Sequence, residues 1–428
     1  MIIQNYSALN KEYGVTKGLK ILGAGLESAM PQKELKNFFR SSIIQIGNKR
    51  IHLSKYDSIY LVAFGKAANS MTRAVSSAVK IKKGIVVIPK DAKLIIHDKK
   101  FQIFKSSHPV PDKTSVTAAK SILKFLNQRS SKELVIFLVS GGSSALLALP
   151  DEIPLNDKIK MTNLLLVSGA TIQEMNCVRK HLSQIKGGRL VEGIKCNAVS
   201  LVMSDVLGDD LSAIASGMTY YDNTKFASAL KVIKKYKLEK KTPVSILKRL
   251  RLGASGKIPE TPKKTKIPHK IILTNKDCIE AMKNKSKQLG ISCKTLGISG
   301  DVAKAASKII KNIPKKKNSC IIFGGETTVQ VKGKGKGGRN QELVLRILEK
   351  TQKIKHDLII SSIGTDGIDG NTKYAGAIIK NNQIKSKEIK SYLENNNSNS
   401  FFKKYGGLIK TGYTNTNLMD IGIVLTLK

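Results

Sequence analysis

The sequence predicts an α/β protein of two domains with mainly parallel sheet, and three observations carry that prediction. Short apolar runs alternate with longer amphipathic stretches, the pattern of strands separated by helices. The chain has 428 residues, more than a single core usually holds. A basic, proline-bearing segment between about Tyr236 and Lys270 separates two such alternating series.

In the first series, Ser58 to Phe64, Gly84 to Ile88, Leu134 to Val139 and Ala198 to Ser204 read as buried strands. Helices are expected over Lys66 to Val79, Thr114 to Leu126 and Thr171 to Ile185. The second series is expected to open with a strand at Ile271 to Thr274 and a helix at Asp277 to Leu289. It continues with strand Ser292 to Leu296, helix Val302 to Ile310, strand Cys320 to Gly324 and helix Asn340 to Lys350, and closes with strands near Leu358 to Ile363 and Ile421 to Leu427. Asn395 to Ser400 reads as a polar surface turn.

Composition narrows the function classes. Hydrophobic residues make up 41% of the chain, enough to bury two cores without disulfides or metals. The five cysteines form no C-x-x-C pair, so neither a zinc site nor a disulfide framework is indicated, and a reducing cytoplasm is expected. No apolar run approaches the length of a spanning helix, and no membrane partner is expected. The formal net charge of +43 invites a nucleic-acid reading. The excess is mostly lysine, scattered on helices and in segments such as Lys234 to Lys241 and Lys311 to Lys317, without interleaved aromatics. A solvated lysine surface with no specific nucleic acid is therefore expected.

Ligands in open α/β sheets bind at the carboxyl ends of strands, so the turns that follow each expected strand hold the candidates. After Phe64 comes Gly65-Lys66-Ala67-Ala68, which sets an amine beside the positive end of a helix. That neighbourhood is unfavourable unless an anion sits there. After Val139 comes Ser140-Gly141-Gly142-Ser143-Ser144, a run of glycines and hydroxyls suited to a carboxylate or phosphate. Ser204-Asp205-Val206-Leu207-Gly208-Asp209-Asp210 brings acids together at a third strand end, where a cation would relieve their repulsion, although Asp209 or Asp210 would also serve as a helix cap.

The second series supplies Glu326 in Gly324-Gly325-Glu326-Thr327-Thr328, and Asp366 and Asp369 in Gly364-Thr365-Asp366-Gly367-Ile368-Asp369-Gly370. These join Asp205 as candidate metal ligands. Between them lies Gly337-Gly338-Arg339-Asn340, where an arginine at a helix start points to a bound anion, with Gly338 and Asn340 beside it. Gly333-x-Gly335-x-x-Gly338 formally matches a dinucleotide fingerprint. The lysines around it and the bulk of Arg339 and Asn340 count against that use. His108, in His108-Pro109-Val110-Pro111-Asp112, either positions a substrate or hydrogen-bonds within its own turn. No G-x-x-x-x-G-K-[ST] run and no protein-kinase signature occurs.

Taken in order, these blocks resemble the glycerate kinase family whose C-terminal half is the MOFRL domain. Besides the turns quoted, the resemblance runs through Asn176-x-x-Arg179-Lys180-His181-Leu182-Ser183 and Lys186-Gly187-Gly188. It implies a Rossmann-like parallel-sheet domain over residues 1–250 and a MOFRL-type α/β domain over 251–428, with the active site in the cleft between them. The implied reaction is phosphorylation of D-glycerate by ATP, most typically to 2-phosphoglycerate, with Mg²⁺ or another divalent cation and with the protein as a monomer or homodimer. Lys66 and Arg339 map onto the active-site lysine and arginine of the family. The sequence departs from the family at Leu207, Leu211, Met218 and Tyr413, where proline is usual, and at Asn415, where glycine is usual. An NAD(P)H-dependent hydroxypyruvate reductase is the competing expectation.

Overall fold

The computed structural model describes residues 2–11, 13–354, 356–381, 384 and 386–427. The chain forms two compact units, one of residues 31–272 and one of residues 1–30 with 273–428. Among the described residues no helix is long and apolar enough to cross a membrane.

In the 31–272 unit a hairpin of β1 (Ile43–Ile46) and β2 (Lys49–His52) precedes the main sheet. The main sheet comprises β3 (Ser58–Phe64), β4 (Lys83–Pro89), β5 (Phe101–Ser106), β6 (Glu133–Val139), β7 (Asn197–Met203) and β8 (His269–Leu273). Its order is β5-β4-β3-β6-β7-β8, and the pairings from β5 through β7 are all parallel. β3, β4, β6 and β7 are buried almost throughout, which explains their apolar runs, whereas the edge strand β5 keeps Gln102 and Lys105 exposed. The order reverses between β3 and β6, with Phe64 in register with Val139, so a switch point opens at those two carboxyl ends.

Helices close the unit. Helix Lys113–Asn127 starts at a reciprocal capping box in which Asp112 accepts from Ser115 N and Ser115 Oγ accepts from Asp112 N. Its Ala118, Ala119, Ile122 and Leu126 are buried with Val62, Phe64 and Phe137 in one core. Helices Leu155–Val167, Ile172–His181, Phe226–Lys235 and Val244–Ala254 gather around a second core of Met161, Val178, Phe226 and Leu250.

The other unit contains β9 (Ser292–Asp301), β10 (Ser319–Thr328), β11 (Leu358–Gly364), β12 (Gly376–Lys380), β13 (Leu408–Ile409) and β14 (Asp420–Thr426). Their order is β13-β12-β11-β14-β10-β9. β9 and β10 are parallel, whereas β14 runs antiparallel to both β10 and β11, so this sheet is mixed. Helix Tyr13–Ser28 lies on it with Leu19, Ile21, Leu22 and Leu26 buried. A Cβ on Gly14 or Gly18 would crowd Ile359 of β11, so these small positions let the helix approach the sheet closely.

Three expectations change. The division at 250/251 gives way to units that part at 272/273, and the first thirty residues join the C-terminal unit. Beyond the buried helix face, Asn5 bonds Leu408 O and Lys410 N, and Thr416 Oγ1 donates to Ala29 O. The strand expected to open the second series is β8, at the edge of the first sheet, where Ser200 N donates to Pro268 O just ahead of it. Helix Ile172–His181 stops four residues short of Ile185, because Ser183 bridges to Pro150 instead.

Candidate active site

The β3 and β6 turns interlock at the switch point. Lys66 N donates to Gly141 O at 2.8 Å, Ala67 N donates to Ser140 Oγ at 3.0 Å, and Ser143 Oγ donates to Phe64 O at 3.1 Å. With these bonds made, the following helix starts at Ala68, and Lys66 lies in the turn rather than in the helix as expected. Gly142 adopts the left-handed conformation with φ of 80°. Lys66 Cγ and His108 Cδ2 lie 3.1 and 3.2 Å from where its Cβ would be. The structure thus brings Lys66, His108 and the Ser140–Ser144 turn together.

Within that turn the side chains are engaged internally. Ser140 and Ser143 are buried, and Ser144 Oγ lies 2.6 Å from Ser216 Oγ. What the turn offers a ligand is therefore backbone N–H groups together with Lys66 and His108, while its serine hydroxyls are engaged within the protein. Asp205 follows β7, adjacent to β6 in the same sheet. Asp210 accepts from Ser212 N and Ser212 Oγ within a local turn, and the following 3-10 turn Ile214–Gly217 has Ala213 rather than either aspartate at its N-cap, so the helix-capping expectation is not met.

In the other unit Arg339 is the first residue of helix Arg339–Thr351. Its guanidinium is gripped on two sides: Nε and Nη2 donate to Asp420 at 2.6 and 2.9 Å, and Nη1 lies 2.7 Å from Glu326 Oε1. Burial disfavours the charged form, but Asp420, Glu326 and Asp366 outweigh it and hold the guanidinium pKa above its ordinary value. Arg339 is thus fixed in direction and locally neutralised, not a lone positive charge.

Asp420 is the residue that sequence reasoning missed. It pairs across β14 with Gly325 on one side and Gly364 on the other, the residues just ahead of Glu326 and of Thr365-Asp366. The signal was an acid opening an otherwise apolar strand, Asp420-Ile-Gly-Ile-Val-Leu.

Asp369 differs from the metal role expected of it. Its two oxygens accept from Asn340 N at 3.0 Å and Gln341 N at 2.9 Å, and the side chains of both residues add further bonds. It caps the helix that carries Arg339 and is committed to that cap. Burial nonetheless pushes its pKa up to about 6, against the pull of those N–H groups. Gly338 leaves room for this cap, since a Cβ there would lie 2.3 Å from Asp369 Oδ1. Asn340 is also buried, spanning Ser362 Oγ and Asp369, so it supports the site from within rather than facing substrate. Among the described residues no three His, Cys, Asp or Glu side chains converge to hold a metal ion unaided.

The glycine-rich loop ahead of Arg339 is latched, not open. Every backbone N–H from Lys332 to Gly337 donates within the protein, to Asn395, Asn396, Asn397 or Asn371. The run read as a bland polar turn is the clasp of this loop, and from Ser398 it continues as helix Ser398–Tyr405. The donors that a dinucleotide fingerprint would present to a pyrophosphate are thereby taken.

Residues 18–251 match a family described as "Domain of unknown function (DUF4147)", and residues 319–420 match the MOFRL family. The chain is 40% identical to a D-glycerate 2-kinase of Thermotoga maritima, over 86% of this chain and 91% of that protein. It is 35% identical to a glycerate 2-kinase of Pyrococcus horikoshii, over 95% and 96%. The crystal structure of a Thermotoga maritima glycerate kinase superposes with a TM-score of 0.78 at 34% identity, covering 96% of this chain and 98% of the other. A Pyrococcus horikoshii protein of solved structure gives 0.73 at the same identity and coverage. The resemblance drawn from ordered turns and the likeness of whole chains agree: the chain belongs to the glycerate kinase family with a MOFRL domain.

Proposed function

We propose that the chain is a glycerate 2-kinase that transfers the terminal phosphoryl group of ATP to the 2-hydroxyl of D-glycerate. The products are ADP, 2-phosphoglycerate and the proton of the attacking hydroxyl. The observation that carries this reading is the Lys66 turn, where an amine, an imidazole and a glycine-rich turn gather at a topological switch point.

Phosphoryl transfer asks the protein to align two oxygens about phosphorus and to neutralise spreading charge, with little covalent work. In this reading Lys66 supplies a flexible positive charge to phosphate or carboxylate oxygens, and the backbone N–H groups of Gly141 to Ser144 add donors. Arg339, held bidentately by Asp420, supplies a charge of fixed direction.

Mg²⁺ or another divalent ion, when bound, neutralises phosphate charge. It takes one or two carboxylates and keeps waters, so in this reading Glu326 or Asp366 in the C-terminal unit, or Asp205 in the 31–272 unit, would supply a carboxylate, with no preformed three-ligand cage among the described residues. The reading places the protein in the cytoplasm as a monomer or homodimer, with ATP and D-glycerate as its partners. The latched Lys332–Gly337 loop weighs against an NAD(P)H-dependent hydroxypyruvate reductase.

One coupled assay tests the proposal. Protein, ATP, Mg²⁺ and D-glycerate are incubated with enolase, which dehydrates only the 2-phosphate, and the absorbance of phosphoenolpyruvate is followed. Immediate phosphoenolpyruvate formation is expected. ADP formation with no signal until a phosphoglycerate mutase is added would overturn the 2-position, and no glycerate-dependent ADP would overturn the kinase.

A further inference from the structure

Three cations cluster in the 31–272 unit behind the Ser140–Ser144 turn, and the mechanism above uses none of them. Lys158 comes from helix Leu155–Val167, Arg179 from helix Ile172–His181, and Lys186 from the turn before Gly187-Gly188. Lys158 and Lys186 are 5% and 1% exposed, a depth at which lysine is almost always paired with an acid.

Neighbouring cations follow that rule. Lys180 pairs with Asp222, Arg189 with Asp151, and Arg249 with Asp151 and Glu152. Among the described residues no carboxylate pairs with Lys158, Arg179 or Lys186. Lys186 Nζ donates to Ser144 O at 3.1 Å, which ties the cluster to the β6 turn. Lys158 Nζ is buried and makes no hydrogen bond.

The three act on one another. Burial, then the charge of Arg179, lowers the Lys158 pKa to about 8, and burial with both neighbours pushes Lys186 well below its ordinary value.

The backbone beside the cluster is held in an unfavourable state. Ala215 and Ser216 have φ of 54° and 53°, left-handed conformations costly for residues with a Cβ. That conformation aims Ser216 Oγ at Asn176 Oδ1, 2.9 Å away, and at Ser144 Oγ. Asn176 lies three residues before Arg179 on the same helix, so the strained turn, the β6 turn and the basic cluster form one connected structure.

We propose that Lys158, Arg179 and Lys186 form a subsite for one oxyanion of the reactants, a carboxylate or a phosphoryl group. The proposal deepens the kinase reading and rests on it for the identity of the reactants. An oxyanion would satisfy the unbonded ammonium and offset the repulsion that lowers the lysine pKa values, a counter-charge that no carboxylate among the described residues supplies. The cluster would then hold one end of a reactant while the neighbouring Lys66 turn meets the other.

The test uses the full chain and its Lys158→Met variant, in which methionine keeps the length of the side chain and removes its charge. Thermal midpoints are measured with sodium D-glycerate, with inorganic phosphate and with sodium chloride at equal ionic strength. Glycerate, phosphate or both should raise the wild-type midpoint above the chloride control, and the variant should bind the same anion about 10- to 100-fold more weakly.

A response to glycerate assigns the subsite to the carboxylate, and KM for glycerate should then rise by the same factor in the variant. A response to phosphate alone assigns it to a phosphoryl group. Because an uncompensated buried charge is removed, the variant without anion should melt at or above the wild-type temperature. Arg179→Met provides the same comparison if Lys158→Met fails to fold. An unchanged anion response in the variants, or none in the wild type, overturns the subsite. Loss of the anion response in an enzyme that never phosphorylates glycerate would leave the subsite standing and remove the kinase.

Discussion

Asp420 holds Arg339 by both of its carboxylate oxygens, at 2.6 and 2.9 Å, and the carboxylate is nearly inaccessible to solvent. A fork bound this way loses the freedom to swing, so the remaining face of the guanidinium points in one direction. Asp420 therefore acts as a positioning residue. Asp420→Asn should lower kcat about 10- to 100-fold, with a smaller change in KM, because Arg339 keeps its charge and loses its aim. Arg339→Lys should not restore activity, since an ammonium cannot meet both oxygens. Steady-state kinetics of the two variants check this, and equal loss in KM alone would count against a positioning role.

In the proposed reaction Lys66 neutralises charge on the reactants. Lys66→Ala is expected to reduce turnover roughly 10²- to 10³-fold, the scale for losing one oriented charge stabiliser. The turn should survive the change, because it is built by Lys66 N, Ala67 N and the serine hydroxyls rather than by the amine. An unchanged far-UV spectrum and melting temperature alongside lost activity is the expected pair of results.

Burial lowers the His269 pKa to about 4, where the free side chain titrates at 6.5. Between those values the unfolded chain binds a proton that the folded protein does not. Stability contributed by the neutral ring is thus present above about pH 6.5 and is lost as pH falls toward 4. With the half-buried position allowed for, the loss is roughly 2 kcal/mol. Urea unfolding of wild type and His269→Gln at pH 7.5 and 4.5 should show the variant losing less stability in acid. Parallel losses would refute the assignment.

The first thirty residues contribute to the stability of the C-terminal unit rather than of the sheet they precede in sequence. Leu22 is fully buried on helix Tyr13–Ser28, so Leu22→Ala should cost about 2–5 kcal/mol. Hydrogen exchange should locate the loss of protection in β11, β12 and β14 and leave β3 and β6 unaffected. Weakened protection confined to β3 and β6 would contradict the packing described.

By itself the sequence determined the α/β class, most strands and helices, and the glycine-bearing turns at the strand ends, because each depends on neighbours a few residues away. Buried parallel strands write themselves as apolar runs, and Gly65-Lys66 or Gly338-Arg339 marks a turn without reference to distant residues. Only the tertiary structure decided which partners these residues take. It put Tyr13–Ser28 on a sheet made hundreds of residues later, moved β8 to the edge of the first sheet, and set Asp420 opposite Arg339. It also turned Asp369 from a free acid into a helix cap and gathered Lys158, Arg179 and Lys186 with no carboxylate pairing them among the described residues. Strand pairing and the burial of charge are long-range effects: their free energies depend on which segments meet in space, and local residue patterns do not encode that meeting.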